Sequence, residues 1–247
     1  MENLPLLALI GATFFAAGLV KGVTGMGLPT VAMGVLGAFL TPLAAASLLL
    51  VPSFISNIWQ IFSGPRLGAM VVRLWPMMLS IVVGTIFGSA LLTGGDTEAT
   101  TTALGIALVL YAAYSLLARP LRVPKRLERI TSVIVGGVTG LVTGGTGVFV
   151  IPAVPFLQSL EFDRDELIQA LGLSFTVSTI ALAFGLAWNG GIPSDTWLTS
   201  ILAVAPALLG MAAGQVIRTR INPAIFRRVF LFVLLLLGLE MALRSLY

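Results

Sequence analysis

Hydrophobic positions in this sequence neither alternate with polar ones nor form narrow helical stripes. They gather into long runs with almost no charge: Leu43 to Ser63, Leu74 to Thr93, Thr100 to Ala118, Leu167 to Ala187, Trp197 to Ile217 and Val229 to Leu243. Each is close to the about 20 residues that a helix needs to cross the hydrocarbon core of a bilayer. Without period-2 alternation, a membrane β-barrel is not supported. Two further pairs of apolar segments are interrupted by glycine: Leu4 to Val20 with Leu28 to Leu40, and Ile130 to Val142 with Val148 to Leu160. The second member of each pair would make roughly 20 Å of helix, too short to span unaided. Each pair reads as a broken or re-entrant hairpin. The pattern predicts an all-α polytopic membrane protein with about eight to ten membrane segments.

Composition agrees. Of the 247 residues, 57% are hydrophobic and 10% charged, against about 25% charged in soluble domains. That charge cannot cover a water-facing surface. The opening MENLPLLALIG carries an acid where a secretory signal has bases, so the first apolar segment reads as a retained helix. There is no cysteine and no histidine, which removes disulfides, thiolate chemistry, a histidine proton relay and the commonest metal ligands. No cofactor or metal is called for.

The net charge of +4 becomes informative once the bases are located. They cluster at Arg66 and Arg73, at Arg119, Arg122, Lys125, Arg126 and Arg129, and at Arg218, Arg220, Arg227 and Arg228. The connections GGDTEAT (Gly94 to Thr100) and NGGIPSD (Asn189 to Asp195) hold acids and no base. The positive-inside rule places the basic loops in the cytoplasm and the acidic ones outside, with both termini outside. This is topology and not a nucleic-acid footprint.

An internal repeat gives the organisation. Gly18 to Gly25 reads GLVKGVTG and Gly140 to Gly147 reads GLVTGGTG, so six of eight positions agree. A proline follows each copy (Pro29, Pro152), then a short apolar piece, then a long segment with a Ser-Phe pair (Ser53 and Phe54; Ser174 and Phe175). Glycine pairs four apart recur too, Gly84 with Gly88 and Gly210 with Gly214, and read as close-packing faces. Residues 1–118 and 130–247 thus read as two repeats joined by a basic cytoplasmic linker, 119–129. The first half begins outside and ends inside, and the second does the reverse. The repeats are inverted, each a hairpin followed by three transmembrane helices, an arrangement that points to a secondary transporter with a midplane site.

These residues resemble the TauE/SafE family of sulfite and organosulfur-anion exporters: the duplicated GLVxGxTG, the following proline and short apolar piece, the length and the basic mid-chain linker. The resemblance implies transport of sulfite, sulfoacetate or related sulfonates across the bacterial inner membrane. The implied partners are a small anion and the lipid bilayer, with homo-oligomerisation open. An intramembrane enzyme would need acids, histidines or an activated nucleophile at mid-membrane, and the sequence supplies none. An anion channel or a subunit of a larger complex is a further alternative.

The site expected from the residues themselves lies at the two hairpin tips, Lys21, Gly22, Thr24, Gly25 and Gly27 in one and Thr143, Gly144, Thr146 and Gly147 in the other. Glycine lets a backbone approach a ligand, and a helix N-terminus offers orphan N–H donors to an oxyanion. Lys21 has two readings, an anion-binding cation or a side chain that snorkels to an interface; its repeat mate is Thr143. On the next long helix Ser53, Ser56, Asn57 and Gln60 share one face at spacings of three and four, and Ser174 and Ser178 do so in the second copy. Ser53, Asn57, Ser174 and Ser178 are the candidates to line the pathway; the alternative is interhelical hydrogen bonding.

Overall fold

A computed structural model describes residues 4–62, 64–117, 122–192 and 196–244. Arg119 of the expected linker, Asp195 of the acidic connection and Ser63 at the end of one apolar run lie outside the described residues. Among those described, every regular element is helical: α1 (Leu4–Thr24), α2 (Leu28–Phe39), α3 (Pro42–Phe62), α4 (Leu67–Gly94), α5 (Thr97–Leu117), α6 (Lys125–Thr146), α7 (Ala153–Gln158), α8 (Arg164–Trp188), α9 (Thr196–Leu202), α10 (Val204–Ile217) and α11 (Pro223–Leu243). Among the described residues six helices are long and apolar enough to cross a membrane, with α9 and α10 counted as one. The outside of the bundle is apolar, Phe87 and Leu117 being 72% and 83% exposed. The protein is a multi-pass helical membrane protein.

Local chemistry sets several boundaries. The acidic stretch before α8 is a helix start: Asp163 accepts the Glu166 N–H at 2.8 Å, and the Glu166 side chain accepts the Asp163 N–H at 3.2 Å, a reciprocal capping box. Asn222 caps α11 by accepting the Ala224 N–H, with Pro223 at the first helical position. The run from Trp197 to Ile217, expected as one helix, divides at Ala203. Pro206 accounts for this, since it has no N–H for the Leu202 carbonyl and its ring crowds that oxygen. Pro52 leaves the Leu48 carbonyl free in the same way, and there the buried Ser200 hydroxyl of α9 donates to it at 2.8 Å.

The largest departure from expectation is the second short helix. Val148 to Leu160 was expected to match Leu28 to Leu40, yet only Ala153–Gln158 is helical, whereas α2 runs over Leu28–Phe39. Helix α7 begins directly after Pro152, and Val148, Phe149 and Val150 pass through the core without helical structure, fully buried.

Helix pairing is dominated by glycine crossings. A Cβ on Gly18 would lie 2.0 Å from the Ala207 carbonyl oxygen, and one on Gly22 would lie 2.2 Å from that of Met211. In return, Gly210 and Gly214 press on the Phe15 and Leu19 carbonyls of α1. The same four contacts recur between α6 and α4, with Gly140 on Ile81, Gly144 on Thr85, Gly84 on Gly137 and Gly88 on Leu141. Both crossings are parallel, because contact positions advance together along the two chains. Two other pairs are antiparallel. Gly105 of α5 meets Gly238 to Ala242 of α11, while Leu108 and Val109 meet Gly238. Gln60 of α3 meets Gly172 of α8, while Leu50, Val51 and Phe54 share a cleft with Thr179, Ile180 and Ala183. α3 and α8 are the two most buried candidate spans and form the centre of the bundle.

Candidate functional site

Both hairpin tips close on themselves by the same three hydrogen bonds. Thr24 Oγ1 donates to the Val20 carbonyl at 2.8 Å and accepts the Met26 N–H at 3.3 Å, and the Gly25 N–H donates to the Lys21 carbonyl at 2.7 Å. In the second tip Thr146 Oγ1 donates to Val142 at 2.6 Å and accepts from Val148 at 3.3 Å, and Gly147 donates to Thr143 at 2.8 Å. Gly25 and Gly147 sit at φ +81° and +71°, the left-handed conformation that ends a helix and that glycine adopts without a Cβ penalty. Gly27, at φ +104°, starts α2. Thr143 Oγ1 donates to the Val148 carbonyl at 3.2 Å. The tip threonines therefore hold the broken helices in shape, and Gly22 and Gly144 lie in the helix crossings.

The free chemistry lies one turn away, on α3. Lys21 is buried, with 2% of its surface exposed. Its Nζ donates to Ser56 Oγ at 3.0 Å and to Asn57 Oδ1. An ammonium can only donate, so the carbonyl oxygen of Asn57 must face it. The Asn57 amide nitrogen is thereby turned away, buried and without a partner. Ser56 Oγ in turn donates to the Ser53 carbonyl at 3.1 Å. Gln60 Nε2 donates to the Gly25 carbonyl, so α3 grips the tip of α1 at two successive turns. Among the described residues Lys21 forms no ion pair.

Buried polar atoms without a partner concentrate here. Ser53 Oγ, Asn57 Nδ2, Gln60 Oε1, Ser174 Oγ and Ser178 Oγ all lie on α3 or α8. Leaving such groups unsatisfied costs roughly 1–3 kcal/mol each, and buried polar groups normally have a partner; Thr30, Thr85 and Thr139 Oγ1 are the other such atoms among the described residues. In the antiparallel register that brings Gln60 to Gly172, Ser53 is level with Ser178 and Asn57 with Ser174. Apart from Gln60 Oε1, every one of these groups can donate.

Structure thus divides the expected site. Lys21 and Asn57 are in contact, and Ser53, Ser174 and Ser178 share the central helix pair with unpartnered hydroxyls. Ser56 and Gln60 were on the same polar stripe but stood below Ser53 and Asn57; what raises them is contact with α1, 35 residues away in sequence. Spacing cannot show that.

The sequence model of the family described as sulfite exporter TauE/SafE matches residues 10–241. The chain belongs to the TauE/SafE family. A TauE/SafE protein of Cupriavidus necator, described as a probable sulfite/organosulfonate exporter TauE, is 28% identical over 258 residues, covering 97% of this chain and 94% of its own length. No solved structure matches. TauE/SafE proteins are exporters, and membership makes this chain a membrane transport protein and not an enzyme.

Proposed function

We propose that the protein exports small sulfur-containing oxyanions, sulfite or sulfonates such as sulfoacetate, across the bacterial inner membrane, binding them between α3, α8 and the tip of α1. The observation that carries this reading is a buried lysine without a counter-ion beside donors without acceptors. A buried charge is normally paired, and the natural partner for an ammonium, an amide N–H and three hydroxyls is an anion with several oxygens. In this reading Lys21 supplies charge, Asn57 Nδ2 and Ser53 supply donors from one repeat, and Ser174 and Ser178 supply donors from the other.

Inverted repeats, 1–118 and 130–247 around the linker 119–129, account for the packing. A pseudo-twofold axis in the membrane plane makes equivalent helices antiparallel, as α3 is to α8 and α5 to α11. It also makes the crossing of α1 with α10 equivalent to that of α6 with α4. The clusters of bases then face the cytoplasm and both termini face the periplasm. Transport proceeds by alternating access around the central pair, and the inside-negative potential favours anion exit.

Reconstitution tests the proposal. Counterflow of labelled sulfite or sulfoacetate in proteoliposomes should saturate with concentration and fall sharply in Asn57→Leu. Flux that rises linearly without saturation would indicate a channel, and a preference for carboxylates over sulfonates would overturn the substrate class.

A further inference from the structure

A second polar feature has no part in this site. At the basic-loop end of the α4–α6 pair is a cleft of about 300 Å³, lined by Arg73, Trp75, Lys125, Glu128, Arg129 and Ser132. Arg73 is already engaged: it holds Glu128 through Nε at 2.5 Å and Nη2 at 2.9 Å, donates to the Leu160 carbonyl and stacks on Phe162. Lys125 and Arg129, one turn apart on α6, have no carboxylate partner among the described residues. The Arg129 guanidinium lies 5.8 Å from the centre of the Trp75 ring. Two cations without a carboxylate partner and a tryptophan thus open onto one cleft.

Directly below it the same two helices form an apolar groove of about 450 Å³, lined by Leu79, Val83, Phe87, Val133, Gly137 and Leu141. The clefts abut on both helices, Pro76 and Ser132 ending the first and Leu79 and Val133 beginning the second. From Leu79 to Phe87 the groove runs roughly 12 Å, within the about 15 Å that one leaflet contributes to a 30 Å hydrocarbon core.

We infer that the α4–α6 face binds an anionic phospholipid from the leaflet on the basic-loop side, its phosphate between Lys125 and Arg129 and one acyl chain along Leu79, Val83 and Phe87. The order of chemistry, cations then an aromatic then apolar surface, is that of the lipid itself. The repeat-equivalent crossing of α1 with α9 and α10 lacks it. Leu7 stands where Arg129 does, an offset of 122 as between Gly140 and Gly18, and Thr199 stands where Arg73 does, an offset of 126 as between Gly210 and Gly84. The bases are therefore not required by the crossing, and they belong to one leaflet only.

Native mass spectrometry of the intact protein in detergent, titrated with phosphatidylglycerol, tests this. One lipid should bind wild type, and the double variant Lys125→Gln/Arg129→Gln should bind about thirtyfold more weakly, since each base near a membrane surface contributes on the order of 1 kcal/mol. Gly137→Leu should also weaken binding by filling the groove, without loss of fold, because a Cβ there meets nothing within 4 Å. Arg228→Gln, on α11, should bind as wild type. Equal binding of phosphatidylcholine, full competition by inorganic phosphate, no effect of either groove variant, or a dimer that covers this face would each overturn the assignment.

Discussion

Replacing Lys21 with methionine separates the binding role of this residue from its structural one. Methionine has nearly the same length and fills the same volume, so the change removes a charge and two donated hydrogen bonds, to Ser56 and to Asn57. In the empty protein two effects oppose. Asn57 Oδ1 loses its donor, at about 1–3 kcal/mol, while the cost of an uncompensated buried charge, several kcal/mol in the same direction as unfolding, is relieved. Thermal stability without anion should therefore hold or rise. Binding should respond very differently. A charge-assisted hydrogen bond contributes about 1.5–3 kcal/mol, and two charges 4 Å apart interact by about 4 kcal/mol at an effective dielectric of 20, so affinity should fall between about tenfold and a thousandfold. At an anion concentration one hundred times the wild-type Kd, ligand stabilises wild type by about 2.7 kcal/mol. The same concentration should stabilise the variant by about 1.4 kcal/mol at tenfold weaker binding and by less than about 0.1 kcal/mol at a thousandfold. Thermal unfolding of purified protein with and without sulfite, measured side by side, reads both numbers. An unchanged sulfite-induced shift in the methionine variant would refute the assignment of Lys21.

The unpartnered hydroxyls and the tip hydroxyls should part company in the same assay. Ser53→Ala and Ser178→Ala should leave unfolding without anion unchanged yet reduce the anion-induced shift, whereas Thr146→Val should lower stability by about 1–2 kcal/mol through loss of two local hydrogen bonds. Among glycines, Gly18→Leu and Gly140→Leu should abolish folded protein on size exclusion, since their Cβ atoms would meet carbonyl oxygens at 2.0 and 2.4 Å. Gly11→Ala has open space and should be neutral or gain up to about 1 kcal/mol from helix propensity. Gln169→Leu removes bonds to the Ile61 and Gly64 carbonyls and to the Arg66 N–H, and should cost about 3 kcal/mol, seen as a lower midpoint in thermal unfolding.

Hydropathy alone made the membrane class and most helices legible, because a bilayer demands length and apolarity and little else. The two glycine motifs also lie where α1 and α6 end, at Thr24 and Thr146. What glycine is for was less readable. Gly22 and Gly144 sit in motifs that suit both ligand approach and helix contact, and only the partner helix, carrying its own glycines at Gly210, Gly214, Gly84 and Gly88, decides for contact. The irregular path of Val148 to Val150 was hidden for a related reason: burial on all sides tolerates extended apolar backbone that a hydropathy profile cannot tell from helix. Lys21 was visible as an anomaly. Its place in the proposed site rests on its contact with Asn57, whose Nδ2 is buried without a partner among the described residues, facts about the meeting of two helices.

The glycine crossings tie α1 to α10 and α6 to α4, and so each copy of the duplicated motif is clasped by the opposite half of the chain. The motif is thus an interface written twice. A polypeptide holding a single copy would have its glycine face open until the other half of the chain supplied the missing helix. Cutting the chain in the basic linker should accordingly yield two fragments that purify together or not at all.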